Sequence, residues 1–259
     1  MRLLFLLPLL GLAACATPRA PSGLLSSYDG LTARDGAVRA HVAERRDEAG
    51  LAAVKRVAIA PAQLAPALDA DWMDEANRTL LLREVDAQLC FELSERYEIA
   101  PTAAEADAQV RTFVTAVRPT GRAGSAVSAA SSFLIPGPIG LRVPGGLGAL
   151  AAEAEMVDAG QRQLAALTWS RGATAVGTDN PSLSRIGDAL QFAEPFADAA
   201  AKVMTAEGVK ARNPGDPDPC AAYGARFRPE GFLTRFATGL YVPKVSGARP
   251  DAGPETALD

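Results

Sequence analysis

Few residues of this sequence have the type and spacing that catalysis requires. His41 is the single histidine of the chain and lies in a charged segment, and no Gly-x-Ser-x-Gly turn is present to expose a serine nucleophile. One histidine and three cysteines supply no cluster with the spacing of zinc ligands. Gly145, Gly146 and Gly148 follow Pro144 without the lysine of a phosphate-binding loop. We therefore expect no catalytic residue, no metal site and no cofactor.

Glu153, Glu155 and Asp158 form the densest group of carboxylates on a predicted strand. Glu153 and Glu155 share one face of that strand because side chains alternate with a period of two. Such a pair could act as general acid and base, but the sequence supplies no neighbour that would tune it. We expect a solvated face of the sheet here.

Cys15 follows a short apolar leader. Residues 1–14 carry one charge, Arg2, and then a run of Leu and Phe too short to span a hydrocarbon core of about 30 Å. The Leu-Ala-Ala sequence before Cys15 resembles the lipobox read by lipoprotein signal peptidase. The resemblance implies cleavage before Cys15 and a diacylglyceryl thioether on its sulfur, an anchor that gains about 0.8 kcal/mol per buried methylene. The alternative is an apolar first strand and an incidental cysteine.

The expected location is the cell envelope. Ala16 stands where a signal for retention in the inner membrane would place Asp, so the resemblance favours an outer-membrane lipoprotein that faces the periplasm. The formal net charge is −4 and no long basic block occurs, which argues against a nucleic-acid partner. The expected partners are the membrane, through the lipid, and an envelope protein, with the oligomeric state left open.

Cys90 and Cys220 are a candidate disulfide. Cys90 lies in a helical pattern, whereas Cys220 lies in a Pro-rich loop. In an oxidising compartment the two could pair and tie the C-terminal arm to the core. Two unpaired thiols are the alternative.

Residues 123–150, which we call the flap, contain Gly, Ala, Ser and aliphatic residues with Arg142 as the only charge. An exposed apolar area of this extent is rare on a monomer, which favours binding of lipid, a hydrophobic ligand or a partner. The candidate contact residues are its large apolar ones: Phe133, Leu134, Ile135, Ile139 and Leu141. The alternative is a loop or short helix packed over the sheet.

The elements that must position these residues are strands and helices in mixed order. Alternating or β-branched patterns predict strands, at residues 54–60, 110–117, 153–158 and 163–169. Apolar residues at helical spacing predict the main helices, at residues 71–97 and 180–208, the second broken or kinked at Pro195. The charged residues 33–50 are a further candidate helix.

The predicted fold is therefore α+β, an antiparallel or mixed sheet of about four strands with two main helices packed on one face and irregular N- and C-terminal arms. Its predicted parts are a signal peptide, a lipidated tether, an α+β domain and a Pro/Gly-rich C-terminal arm and tail. Their bounds are 1–14, 15–22, 23–210 and 211–259. The tether reaches about 25 Å when fully extended.

Two segments share the spacing of their apolar residues. Residues 23–28 and 231–236 each begin with Gly two positions after a Pro. One interpretation is that both fill similar grooves, and the other is chance.

The order of these pieces is similar to that of a family of uncharacterised bacterial lipoproteins, domain-of-unknown-function family 3313. The resemblance is carried by the Cys15 lipobox, residues 22–28, the strand that ends at Pro61, and residues 153–158 leading into the hairpin. It covers most of residues 22–206, although Leu24 stands where an aromatic residue is expected.

The resemblance implies an envelope location and a fold, and it carries over no catalytic residue. We expect a membrane-anchored, periplasm-facing lipoprotein that acts as a non-catalytic interaction or assembly module. The alternative is a carrier for a lipid or small apolar ligand beneath the flap. A hydrolase that depends on His41 is the third hypothesis.

Overall fold

The computed structural model describes residues 21–35, 39–132, 140–143 and 145–248. Its strands are β1 (Thr32–Ala33), β2 (His41–Arg46), β3 (Arg56–Ile59), β4 (Gln63–Leu64), β5 (Glu98–Ile99), β6 (Ala108–Arg118), β7 (Gly140–Leu141), β8 (Ala149–Asp158), β9 (Gln163–Gly172) and β10 (Val176–Gly177). Its helices are α1 (Glu48–Ala53), α2 (Glu75–Ser94), α3 (Arg122–Ser132), α4 (Gly187–Val203), α5 (Pro229–Thr238) and α6 (Pro243–Ser246).

Eight of the strands form one mixed sheet. Its order is β1-β2-β9-β8-β6-β3-β5, and β4 pairs with β6 beyond the end of β3. Strands β6, β8, β9 and β2 are antiparallel neighbours, whereas β3 and β4 run parallel to β6. Strands β7 and β10 form a separate antiparallel pair.

Helices α2 and α4 contact each other and cover one face of the sheet. Val85 and Leu89 of α2 and Phe192 and Phe196 of α4 are fully buried there. The ring of Trp169 on β9 meets that of Phe196 edge-on, with centroids 5.8 Å apart. The core is therefore a single layer of side chains between the sheet and the two long helices.

The predicted α+β class is confirmed in outline, but four strands were too few. The sheet has eight strands, and the four not predicted are β1, β2, β4 and β5. Three of these, β1, β4 and β5, contain two residues each, too few to show a periodic pattern. The helix expected over residues 33–50 is wrong, since that stretch forms β1, β2 and the start of the short α1. Helix α4 contains Pro195 within its length and continues beyond it.

The C-terminal arm packs against the side of α2 that faces away from the core. Cys90 lies about 100° around the helix from Leu89 and forms a disulfide with Cys220, 130 positions later in the chain. Residues 87–94 of α2 are consequently buried on every side. The arm thus forms a further layer outside the helices.

Candidate functional site

The first described residues lie on the face of the sheet opposite the helices. Ala152, Ala154 and Met156 of β8 belong to the core beneath α4, so Glu153 and Glu155 point to the other face. They are 4% and 1% exposed because residues 22–28, which we call the docking segment, cover them. The expectation of a solvated carboxylate pair is therefore wrong.

Glu153 binds the docking segment through both of its oxygens. Its Oε1 accepts the backbone N–H of Ser22 at 3.0 Å. Its Oε2 accepts the Ser22 hydroxyl at 2.5 Å and the Tyr28 hydroxyl at 2.6 Å. Hydrogen bonds to an ionised acceptor are about twice as strong as neutral ones, so one carboxylate fixes both ends of the segment.

The Tyr28 hydroxyl also orders the turn that precedes it. Its oxygen accepts the backbone N–H groups of Gly23 at 2.9 Å and Leu24 at 3.0 Å. Gly23 has φ +82°, the left-handed region that glycine adopts without a steric penalty. The phenol therefore joins the turn to the sheet.

Glu155 is held by a second set of donors. Ser26 donates its backbone N–H at 2.8 Å and its hydroxyl at 3.1 Å. The amide of Gln163 donates at 2.8 Å, and Arg111 on β6 forms a salt bridge at 3.2 Å. Every donor to this buried carboxylate is thus either the docking segment or a neighbouring strand.

The same face carries a cavity of about 190 Å³ beside the docking segment. His41, Thr168 and Ser170 line it, together with Glu153. Both oxygens of Glu153 already accept hydrogen bonds from Ser22 and Tyr28, so this carboxylate holds the docking segment in place. The arrangement favours binding of the segment over acid–base chemistry.

Arg142, the only charge in the flap, belongs to a buried ion pair. Its Nη1 and Nη2 donate to Asp188 at the start of α4 at 2.6 and 3.0 Å, and both side chains are at most 3% exposed. Asp188 also accepts the backbone N–H of Gly148 at 2.7 Å. The described parts of the flap are therefore fastened to α4.

The predicted contact residues of the flap fall largely outside the described residues. Phe133, Leu134, Ile135 and Ile139 lie there, as does Cys15. Leu141 pairs through its backbone with Val176.

Ion pairs and buried carboxylates join the C-terminal arm to α2. Arg226 bonds to Glu92 and Glu95, and Glu84 accepts the backbone N–H of Ala248 and the amide of Gln88. Burial raises the pKa of Glu84, as it does that of Glu92. The disulfide and these contacts hold the arm in one position.

The arm presents its large apolar side chains to solvent. Phe232, Leu233 and Phe236 of α5 are 52%, 62% and 83% exposed, and the preceding Phe227 is 75% exposed. Their positions at i, i+1 and i+4 place the three helical ones on one face. Residues 231–236 form a helix whereas residues 23–28 do not, so the proposed similarity of their binding grooves is not supported.

A polar cleft of about 570 Å³ lies between α2, α4 and the arm. Five arginines and five carboxylates line it, including Arg228, Glu194 and Asp179. Burial raises the pKa of Asp179 above its usual value, although the nearby guanidinium of Arg171 opposes that shift. The cleft is thus lined by as many arginines as carboxylate side chains.

Within the described ranges, no group of three or more His, Cys, Asp and Glu side chains could hold a metal ion. No helix in those ranges is long and apolar enough to cross a membrane.

The sequence matches a family model described as "Protein of unknown function (DUF3313)" over residues 20–200. No curated protein matches it. A solved PelC dodecamer from Paraburkholderia phytofirmans in space group P6 is similar at a TM-score of 0.38 and 11% identity, covering 65% of this chain and 99% of that one. A substituted PelC dodecamer from the same organism in space group C2 gives a TM-score of 0.36 and 11% identity, covering 65% and 98%. With TM-scores this low, we infer neither assembly nor activity from the likeness.

Proposed function

The chain belongs to the DUF3313 family of unknown function, and from that premise we propose that it is a lipid-anchored protein of the cell envelope that binds a partner protein through its C-terminal arm. The observation that carries the binding role is the exposed apolar face of α5, formed by Phe232, Leu233 and Phe236, together with the exposed Phe227 that precedes the helix. Aromatic residues are enriched at protein interfaces and supply much of their binding energy.

The construction of the arm supports this role. A disulfide joins it to α2, and Arg226 and Arg228 add ion pairs to Glu92 and Glu84. A surface that is already ordered loses little conformational entropy on binding. The apolar face is therefore presented in a form suited to a specific partner.

The docking segment would keep a lipid on Cys15 close to the folded domain. Ser22 is seven residues from Cys15 and is fixed to Glu153 on the sheet. The intervening chain spans at most about 25 Å, so acyl chains on Cys15 would hold the domain against a membrane. The anchor-bearing chain leaves from the sheet face, whereas the arm lies outside the helix layer. The two proposed contacts therefore use opposite sides of the molecule.

Photo-crosslinking in intact cells tests the proposal. A photoreactive residue at Phe236 should give one discrete adduct with another envelope protein. The same residue at Val209, which is 46% exposed in the loop after α4, should give none. Diffuse or equal labelling at the two positions would argue against the partner surface. An apolar small molecule recovered with the gently extracted protein would instead favour the carrier hypothesis.

A further inference from the structure

We infer that the outer face of α3, with Val143 and Val176 beside it, lies on the lipid surface of the membrane in which Cys15 is anchored. The inference rests on the proposed lipidation. The inference concerns a surface formed by the flap and β10. This surface is separate from the partner surface on α5.

Helix α3 is inverted in polarity compared with a helix on a water-facing surface. Its buried positions include Ser125 and Ser128, which are 1% and 3% exposed, while Val127 is 59% exposed. Among residues 123–130, whose side chains the structure describes, the exposed ones are all apolar: Ala123, Ala126, Val127 and Ala130. Soluble proteins place the polar stripe of such a helix outward, so this face suits an apolar environment.

Beyond Arg122, the first residue of α3, the flap adds no charged side chain to the outer face of this helix. Between residues 123 and 150 the only charged side chain is Arg142. Its guanidinium is turned inward and neutralised by Asp188. Val143 and Val176, which lie between the two members of this pair along the chain, are 38% and 60% exposed. The buried pair therefore adds no charge to this surface, which favours contact with lipid because a charge in hydrocarbon is costly. The charges that flank the surface are Arg122 at the start of α3 and Arg39, which donates to Thr178.

The docking segment, followed from Ser26 back to Ser22, points toward the end of β8 that adjoins the flap. Ser26 binds Glu155 and Ser22 binds Glu153, so the chain, followed back toward Cys15, runs toward the β8 end at Ala149. Glu153 and Ala149 are about 13 Å apart along the strand. The remaining chain to Cys15 spans up to about 25 Å. Acyl chains on Cys15 would then lie within reach of the flap.

Close backbone packing gives α3 a fixed position. A Cβ added at Gly121 would lie 2.5 Å from the carbonyl oxygen of Gly145, and one at Gly124 would lie 3.0 Å from the Cα of Gly146. The hydroxyl of Ser128 accepts the backbone N–H of Val143 at 3.0 Å. The valines of the helix and of the adjoining segment are thus parts of one surface.

Site-directed fluorescence tests the inference on the full, lipidated protein. Cys15 is acylated and Cys90 is bonded to Cys220, so a cysteine introduced at Val127 is the one reactive thiol for a bimane label. The protein is reconstituted into phosphatidylethanolamine and phosphatidylglycerol vesicles that contain phosphatidylcholine brominated on its acyl chains. The matched control carries the label at Val209, an equally apolar exposed position at the opposite end of α4.

The inference predicts that bromolipid removes about half or more of the fluorescence at position 127, since an interfacial helix buries its apolar face about 5 to 10 Å deep. The label at position 209 should be unaffected by bromolipid and quenched by aqueous iodide.

Three results would overturn the inference, and they have different causes. A label at 127 that iodide quenches and bromolipid does not, on protein whose intact mass shows acylated Cys15, refutes the α3 contact and leaves the anchor standing. A label shielded from both quenchers means that protein, such as a second copy of the chain, covers α3. An amino terminus without acyl chains removes both the inference and the proposed anchor.

Discussion

Replacing Tyr28 by Phe should release the docking segment from the sheet. The phenol donates to the Glu153 carboxylate at 2.6 Å and accepts the N–H groups of Gly23 and Leu24. A hydrogen bond to a charged group contributes about 1.5 to 3 kcal/mol. Gly23 is exposed and Leu24 is half-buried, so water replaces the phenol at these two N–H groups at little cost. The N–H of the buried Leu25 also donates to the phenol, at the longer distance of 3.3 Å. We therefore expect docking to weaken by about 2 to 3 kcal/mol.

That loss corresponds to a rise of roughly 30- to 150-fold in the population of undocked segment, at tenfold per 1.4 kcal/mol. Hydrogen exchange followed by mass spectrometry measures it directly, because amides of residues 22–31 exchange when the segment opens. Their exchange should accelerate by that factor while the amides of β8 and β9 keep their rates.

The matched control is Tyr223→Phe, which makes the same chemical change on the C-terminal arm, against α2. It should leave exchange in the docking segment unchanged. Unaltered exchange of residues 22–31 in Tyr28→Phe would refute the view that the phenol and Glu153 hold the segment in place.

Three further predictions concern buried groups away from the docking segment. Asp188→Asn breaks the buried pair with Arg142 and should lower the free energy of unfolding, measured by urea unfolding, by about 3 to 5 kcal/mol. Asp198→Asn, which breaks the exposed pair with Lys202, should lower it by less than about 1 kcal/mol. Asp86→Asn should raise stability at pH 7 by up to about 3 kcal/mol, as measured in the same assay. Replacing both Cys90 and Cys220 by Ser should cost up to about 5 kcal/mol in the chain-entropy model, and the native wild-type protein, denatured without a reductant, should not react with a thiol reagent at these two positions.

The gain in stability expected for Asp86→Asn follows from the burial of the Asp86 carboxyl. Desolvation raises the pKa of this carboxyl from 3.8 to about 6, while the backbone N–H of Ala62 lowers it. A raised carboxyl pKa contributes stability that is fully present below the unfolded-state value and is lost as pH rises through the folded-state value. Wild-type stability should therefore fall between pH 4 and pH 6, and Asp86→Asn should flatten that part of the profile. If the stability of Asp86→Asn falls between pH 4 and pH 6 as steeply as that of the wild type, the raised pKa of Asp86 is contradicted.

The long periodic elements could be predicted from the sequence because their patterns reflect burial on one side. Val85 and Leu89 share a helical stripe, and that stripe faces the core. The hairpin of β8 and β9 was indicated by a turn between two apolar runs. Strand β2 was missed because its polar residues, such as Glu44 and Arg45, lie near the sheet edge, where a short β1 covers it and no alternation of apolar residues is needed.

The docking segment could not be predicted from local pattern alone. Glu153 and Glu155 follow the alternation of a solvated face, and only a segment about 130 positions away in sequence buries them. A signal existed in the donors: Ser22, Ser26 and Tyr28 supply three hydroxyls within seven residues. Arg142 was a similar signal, since a lone charge in an apolar stretch requires a buried partner, here Asp188.

Intact-mass analysis of native protein extracted from the membrane fraction tests the central claim most directly. The account predicts a mature chain that begins at Cys15 and carries the added mass of two or three acyl chains. A chain that retains residues 1–14, or one that begins at Cys15 without acyl groups, would contradict it.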